Sequence, residues 1–181
     1  MENIESLKSC ADGLSKDKFI SLIKEIYGVL DFICADYPGY KEWFFKKQIP
    51  RIFTPNGEIL FVRSNDLEKN GSNIIAVACL KKDDVEKKIC TLYVSSKHRG
   101  KQIGTKLLEA SMEYLGTKKP FITFADYKLQ MFQPFVQKYD WELTEVVSGL
   151  YNSETSELCF NGKLTRCDKD SLGEMVLKRK C

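Results

Sequence analysis

Residues 89–108 read ICTLYVSSKHRGKQIGTKLL. In this stretch an apolar β-type run leads into a short basic turn, and the turn opens directly into an amphipathic helix. The first backbone N–H groups of a helix lack intrahelical acceptors and carry partial positive charge, so they attract phosphate oxygens. Gly100 and Gly104 let a ligand come close to the backbone, and positive charge is added by Lys97, Arg99, Lys101 and Lys106. The stretch therefore predicts a site for a pyrophosphate-bearing ligand.

The elements on either side of this stretch mix strands with helices. β-rich apolar runs predict strands at 3–9, 58–64, 74–81, 88–95, 120–126, 141–151 and 155–164. Apolar residues at helical spacing predict helices at 16–35, 40–48, 103–116 and 129–139. Pro50 is expected to end the second helix and Gly116 the third. This order indicates a mixed α/β or α+β sheet with helices packed on it.

Length and composition restrict the class of protein. The chain has 181 residues, which fits one domain, predicted at 1–164, followed by a polar tail at 165–181. A net charge of +3 argues against a dedicated nucleic-acid binder, and no apolar run is long enough to span a membrane. Seven scattered Cys and an N-terminus without a secretion signal favour reduced thiols in the cytoplasm. A single His excludes multi-His metal sites, so no metal is expected.

The basic turn lacks two common phosphate-binding motifs, since neither GxxxxGK[ST] nor GxGxxG is present. It resembles instead the acyl-CoA loop of the GNAT N-acetyltransferase family, [QR]-x-x-G-x-[GA] after a strand that ends in Val. Here Val94 is followed five residues later by Arg99-Gly100-Lys101-Gln102-Ile103-Gly104. Gln102 stands where the family most often has its first motif glycine. Because Gln is a good helix former, we expect Gln102 to have ordinary helical backbone angles.

The resemblance implies a fold, a co-substrate and an activity. The family fold is a mixed, mostly antiparallel twisted sheet of 6–7 strands with about four helices packed on both faces. Acetyl-CoA would place its pyrophosphate on the backbone amides of Arg99, Gly100, Lys101, Gln102, Ile103, Gly104 and Thr105. Its pantetheine arm would lie along the backbone of Leu92, Tyr93 and Val94. An amide near Leu92 or Tyr93 would polarise the thioester carbonyl. The acceptor would be an amine of a small molecule, a peptide or a protein, and a homodimer is possible.

The proton-transfer groups are less well defined. Many family members carry an acidic Tyr in a helix motif A-x-x-x-Y-x-K-x-G-F, but this chain reads FQPFVQKYDW over 132–141, with Val136 at the Tyr position. Tyr139 or Tyr127 is a substitute acid, unless both are packing or surface aromatics. Asp126 or Glu86 is a candidate base, unless each is a solvated cap at a strand end. The missing Tyr leaves open a non-catalytic CoA-binding or interaction domain with the same fold.

An aromatic cluster follows the first predicted helix. It consists of Tyr37, Tyr40, Trp43, Phe44 and Phe45. These rings either line an acceptor pocket or attach the second helix to the sheet. The second interpretation is favoured.

Overall fold

The computed structural model describes residues 3–65 and 72–164, and its strands form one seven-stranded sheet. The strands are β1 (Ile4–Ser6), β2 (Gly57–Arg63), β3 (Ile74–Lys82), β4 (Lys87–Val94), β5 (Phe121–Ala125), β6 (Leu143–Ser148) and β7 (Ser156–Phe160). The α-helices are α1 (Leu7–Gly13), α2 (Lys16–Leu30), α3 (Tyr40–Trp43), α4 (Ile49–Ile52), α5 (Ile103–Leu115) and α6 (Leu129–Lys138). The predicted tail at 165–181 lies outside the described residues.

The strand order is β1-β2-β3-β4-β5-β7-β6. Within the described chain β4 and β5 run parallel, and the other neighbouring strands are antiparallel. The last strand, β7, therefore lies inside the sheet, between β5 and β6. This arrangement confirms the predicted mixed, mostly antiparallel sheet with helices.

Helices cover both faces of the sheet. On one face α5 and α6 contribute Leu107, Leu108 and Phe132 to a core that also contains Ile89 and Phe124. On the other face a separate core joins α2, the α3–α4 region and alternate residues of β2 and β3. Because both faces are buried, the central strands are apolar almost throughout, as their sequences predict.

Several predicted element boundaries were wrong. The strands expected at 141–151 and 155–164 are shorter, at Leu143–Ser148 and Ser156–Phe160. The strand expected at 3–9 ends at Ser6, because the Ser6 hydroxyl accepts a hydrogen bond from the Ser9 amide and caps α1. The helix expected to 35 ends at Leu30 and continues as a 3-10 turn, Asp31–Ala35. Pro50 does not end the aromatic helix. A π-helical turn, Phe44–Gln48, separates α3 from α4, so Pro50 lies in the first turn of α4, where a missing N–H is tolerated.

The parallel strands β4 and β5 separate soon after they begin. Among the described residues they pair only at Lys88 with Phe121 and at Ile89 with Ile122. On the other side of β4, Leu80 pairs with Ile89 and Cys79 with Thr91, so Cys90 is the extra residue of a β-bulge. A bulge bends its strand, and the second half of β4 leaves a gap beside β5.

The described residues include no helix that is both long enough and apolar enough to cross a bilayer.

Candidate functional site

A cavity of about 700 Å³ occupies the gap between β4 and β5. One part of its wall comes from the end of β4, the basic turn and the start of α5: Val94, Arg99, Gly100, Gln102, Gly104 and Thr105. Another part comes from the α2–α3 side and the β6–β7 loop: Phe32, Tyr37, Tyr40, Trp43 and Tyr151. The cavity therefore connects the predicted phosphate site to an aromatic compartment.

The strand residues predicted to hold the pantetheine arm lie in the middle of this wall. Leu92, Tyr93 and Val94 are half-buried and all three line the cavity. The ladder to β5 stops at Ile89, and beyond it no strand of the described residues pairs with β4 on the cavity side. Such an edge offers backbone N–H and C=O groups to an extended ligand.

The basic turn has an unusual backbone. Gly100 has φ 78° and Gln102 has φ 62°, so both are left-handed. The expectation of helical angles at Gln102 was wrong, because this residue precedes the first turn of α5 and reverses the chain between β4 and the helix. The Arg99 side chain donates from Nε to the Val94 carbonyl at 3.2 Å and fixes the turn to the end of β4.

The start of α5 fits an anionic group. Ile103, Gly104 and Thr105 are the first residues of a thirteen-residue helix, so their amides have no acceptor within the helix. A Cβ atom at Gly104 would lie 3.3 Å from Cγ2 of Val94, so the missing side chain keeps this part of the cavity open. Lys101 is exposed, whereas Ile103 is buried in the core and anchors the turn.

The predicted acid and base lie elsewhere. Val136 is half-buried against the core beneath α5 and α6. The Tyr139 hydroxyl donates to Glu109 Oε1 at 2.8 Å. Asp126 is exposed, and its carboxylate accepts from the amides of Tyr127 at 2.8 Å and of Ser156 at 3.1 Å. None of these side chains lines the cavity in the described part of the chain. Tyr139 and Asp126 stay predictions as catalytic groups.

The two alternative candidates have salt-bridge or hydrogen-bond partners. The Tyr127 hydroxyl donates to Asp36 Oδ2 at 2.7 Å, and Lys81 Nζ lies 2.7 Å from Glu86 Oε2. Neither Tyr127 nor Glu86 is among the described residues that line the cavity.

Sequence reasoning missed a buried carboxyl group, that of Glu157 on β7. It is 4% exposed, and the Tyr37 hydroxyl donates to its two oxygens at 3.5 and 3.4 Å. Burial raises the pKa of Glu157 to about 7, although hydrogen bonds from Thr123 and Tyr37 and the positive charge of Lys128 act in the opposite direction. Tyr37 and Thr123 themselves line the cavity, so Glu157 lies directly behind its wall. A signal was present, since Glu157 interrupts an apolar strand, SELCF.

Contacts between distant loops lie at the aromatic end of the cavity. The rings of Tyr37 and Tyr151 meet edge to face with centroids 4.7 Å apart. Lys128 Nζ lies 3.0 Å from Asp36 Oδ2 and 5.1 Å from the Tyr37 ring centroid. These contacts join the α2–α3 loop to the turn after β5 and to the β6–β7 loop.

The structure divides the aromatic cluster of the sequence. Tyr37, Tyr40 and Trp43 line the cavity. Tyr40 is also buried in the core, where its hydroxyl lies 3.0 Å from Thr91 Oγ1 on β4, and Phe44 is fully buried in the same core. Phe45 packs against α2. Tyr40 and Phe44 therefore attach this segment to the sheet, and an acceptor-pocket role for the rings that line the cavity stays a prediction.

No group of three or more His, Cys, Asp or Glu side chains within residues 3–65 and 72–164 is arranged to hold a metal ion.

Replacing Gln102 by Gly should stabilise the fold. A left-handed backbone costs an L-residue about 1–2 kcal/mol, and the extra freedom of Gly in the unfolded chain offsets part of the gain. We expect the free energy of unfolding in urea to rise by about 0.5–1 kcal/mol. The control is Lys24→Gly in the exposed middle of α2. This change should lower the free energy of unfolding by a similar amount. A loss of stability in Gln102→Gly would contradict the left-handed assignment.

Glu157 should make stability depend on pH. The folded state keeps this proton to about pH 7, whereas the ordinary value for the unfolded chain is 4.5, so the folded state binds more protons between these values. The free energy of unfolding therefore falls as pH rises through this interval, and the full cost of about 3 kcal/mol is present above pH 7. Glu157→Gln, measured without ligand by urea unfolding, should gain about that much relative to the wild type between pH 4.5 and 8. A constant difference between the two proteins would exclude the raised pKa.

Comparisons with known proteins agree with this geometry. The model of the acetyltransferase (GNAT) family matches residues 21–125. The ribosomal-protein-S18-alanine N-acetyltransferase of Escherichia coli superposes with a TM-score of 0.60 at 12% identity, over 88% of this chain and 92% of that one. A chain from the NatC complex bound to Gag peptide and CoA gives a TM-score of 0.61 at 16% identity, over 88% of this chain and 96% of that one.

A Bacillus anthracis acetyltransferase solved in complex with acetyl coenzyme A gives a TM-score of 0.52 at 15% identity, over 66% of this chain and 70% of that one. Identities this low show a shared fold. A search of curated protein sequences finds no match. The family model covers more than half of the chain, and it matches the basic turn, the start of α5 and the strands on both sides of the gap. The chain belongs to the GNAT family of acetyltransferases, whose co-substrate is acetyl-CoA.

Proposed function

We propose that the chain is an N-acetyltransferase that transfers the acetyl group of acetyl-CoA directly to a primary amine. One observation carries the proposal: a single cavity runs from the anion-binding start of α5, along the open edge of β4, to the wall in front of Glu157. The family membership of the chain supports the same reaction.

The residues of the cavity fit the parts of acetyl-CoA. The amides at the start of α5 and the left-handed turn before it would hold the pyrophosphate, with positive charge from Arg99. The strand edge at Leu92, Tyr93 and Val94 would pair with the pantetheine arm, and an amide there would polarise the thioester carbonyl. The bound thioester supplies the activated acetyl group.

Glu157 is proposed as the general base. An attacking amine must lose a proton, and a base with a pKa near the working pH combines a useful ionised fraction with adequate proton affinity. The Glu157 carboxyl meets that condition, since burial raises its pKa to about 7. The proton would pass to it through the Tyr37 hydroxyl or a bridging water, because Tyr37 contacts both the carboxyl and the cavity.

The acid that protonates the departing thiolate is not assigned to a cavity residue. Tyr139 stays the sequence-based prediction for this role, and Val136 occupies the usual Tyr position. That substitution favours a second candidate function, a domain that binds acetyl-CoA without transferring its acetyl group. The cytoplasmic location and the homodimer stay predictions from the sequence.

Acetyl-CoA should stabilise the protein against heat. A ligand that binds only the folded state adds about 2.7 kcal/mol at a concentration of 100 Kd, which for a chain of this size corresponds to roughly 5–10 °C in Tm. Gly104→Trp should abolish the shift, because the new side chain would enter the cavity beside Val94. Gly28→Trp is the matched control, since Gly28 lies on an exposed part of α2 with nothing within 4 Å of an added Cβ.

Differential scanning fluorimetry gives this measurement directly. A wild-type Tm that does not move at millimolar acetyl-CoA would remove both the transferase and the binding-domain proposals. An undiminished shift in Gly104→Trp would locate the ligand elsewhere.

Glu157→Gln should lower kcat about 100-fold or more, because a general base contributes roughly 10²–10⁴ to such reactions. The acetyl-CoA shift should persist in this variant. The control is Glu58→Gln on β2, a carboxyl that is equally buried but bound to Ser6 and to the Lys8 and Ile59 amides. Release of free thiol across a panel of amines reports kcat. A Glu157→Gln variant that keeps more than a third of the wild-type rate would rule out the proposed base.

A further inference from the structure

The charged side chains in the cavity wall are all cationic. They are Lys88, Arg99 and Lys128, and the described chain contributes no Asp or Glu to this lining. The nearby carboxylate of Asp36 is already bound by Lys128 at 3.0 Å and by the Tyr127 hydroxyl at 2.7 Å. Glu157 lies behind Tyr37, and within the described residues it has no salt bridge to a cation within 4 Å.

The compartment in front of Glu157 has an apolar and aromatic wall. The rings of Tyr40 and Trp43 lie with centroids 5.3 Å apart. At the mouth, Phe32 is 59% exposed and its ring centroid lies 5.5 Å from that of Tyr93. Met131 is 53% exposed and also lines the cavity. An apolar body would cover these side chains and remove their surface from water.

A second positive charge on the acceptor would be costly here. One ammonium group can approach Glu157, but another would enter a wall of aromatic rings and lysines with no carboxylate to receive it. Burial of an unpaired charge is strongly unfavourable, and the carboxylates that face the two lysines are already paired, Glu86 with Lys88 at 4.0 Å and Asp36 with Lys128 at 3.0 Å.

The compartment is also small. The whole cavity of about 700 Å³ must hold the reactive end of acetyl-CoA as well as the acceptor. The Tyr37–Tyr151 contact and the Asp36–Lys128 salt bridge lie at its aromatic end and hold the surrounding loops together. A slender molecule fits this space better than the surface of a folded protein.

From these observations, and resting on the proposed transferase function, we infer that the acceptor is a small primary monoamine with an apolar or aromatic body. Polyamines and other polycations are poor acceptors.

The test compares two amines that differ in one distal charge. Hexylamine and 1,6-diaminohexane have the same chain length, and the diamine has a twofold statistical advantage. With saturating acetyl-CoA at pH 8, kcat/KM for hexylamine should exceed that for the diamine at least tenfold. Spermidine should be poorer still, and phenethylamine should equal or exceed hexylamine. Thermal shifts of the CoA-bound protein with each amine give a readout of binding that does not need turnover.

Two variants test the wall itself. Trp43→Ala should lower kcat/KM for phenethylamine about tenfold, whereas Phe45→Ala, which removes a neighbouring ring outside the cavity lining, should leave it within twofold. Phe32→Asp places a carboxylate at the exposed mouth. It should raise the ratio of kcat/KM for the diamine to kcat/KM for the monoamine at least fivefold. Both cavity variants should keep the acetyl-CoA shift, which shows that they fold.

The outcomes separate the inference from the proposed function. A diamine or spermidine that reacts as fast as hexylamine would overturn the inference and leave the transferase standing. Acetylation of peptides without acetylation or binding of small monoamines would do the same. Absence of an acetyl-CoA shift would overturn the proposed function itself.

Discussion

The short ladder between β4 and β5 is the constraint on which the rest of the site depends. After Ile89 the two strands no longer pair, and the bulge at Cys90 turns β4 away from its neighbour. Helices pack on both faces, and the strands on either side of the gap belong to one sheet. Backbone groups that no strand pairs with take their partners from side chains, water or a ligand. The end of β4 and the start of α5 thus line the same cavity.

Two structural features beside this gap lower the stability of the fold. Gln102 holds a left-handed backbone at the turn into α5, and Glu157 is buried with a pKa near 7. Strained backbone and perturbed ionisable groups concentrate where a structure serves binding or catalysis rather than stability. The surrounding strands and helices, which are apolar and well packed, are what make these costs tolerable. The cationic lining and the aromatic wall are the basis of the proposed acceptor preference.

Much of the fold followed from the sequence because the signals were local. The apolar strands, the stop at Gly116 and the sequence of strand, basic turn and helix around Gly100 each depend on neighbouring residues. The backbone conformation of Gln102 could not be predicted from neighbouring residues, since its left-handed angles depend on the path from β4 to α5. Glu157 was missed for a different reason: nothing local reveals that β7 inserts between β5 and β6, which buries that carboxyl opposite Tyr37. Local propensity was enough to predict the elements, whereas the surroundings of Glu157 depend on tertiary packing.

Tyr37 and Glu157 are 120 residues apart in the chain, and that separation sets when the site can be complete. Synthesis runs from the N-terminus, so the residues of β4 and of the turn into α5 leave the ribosome before those of β6 and β7. A domain generally folds as one unit, and among the described strands β6 pairs only with β7. The carboxyl behind Tyr37 is therefore in place only when β7, the last described strand, docks between β5 and β6.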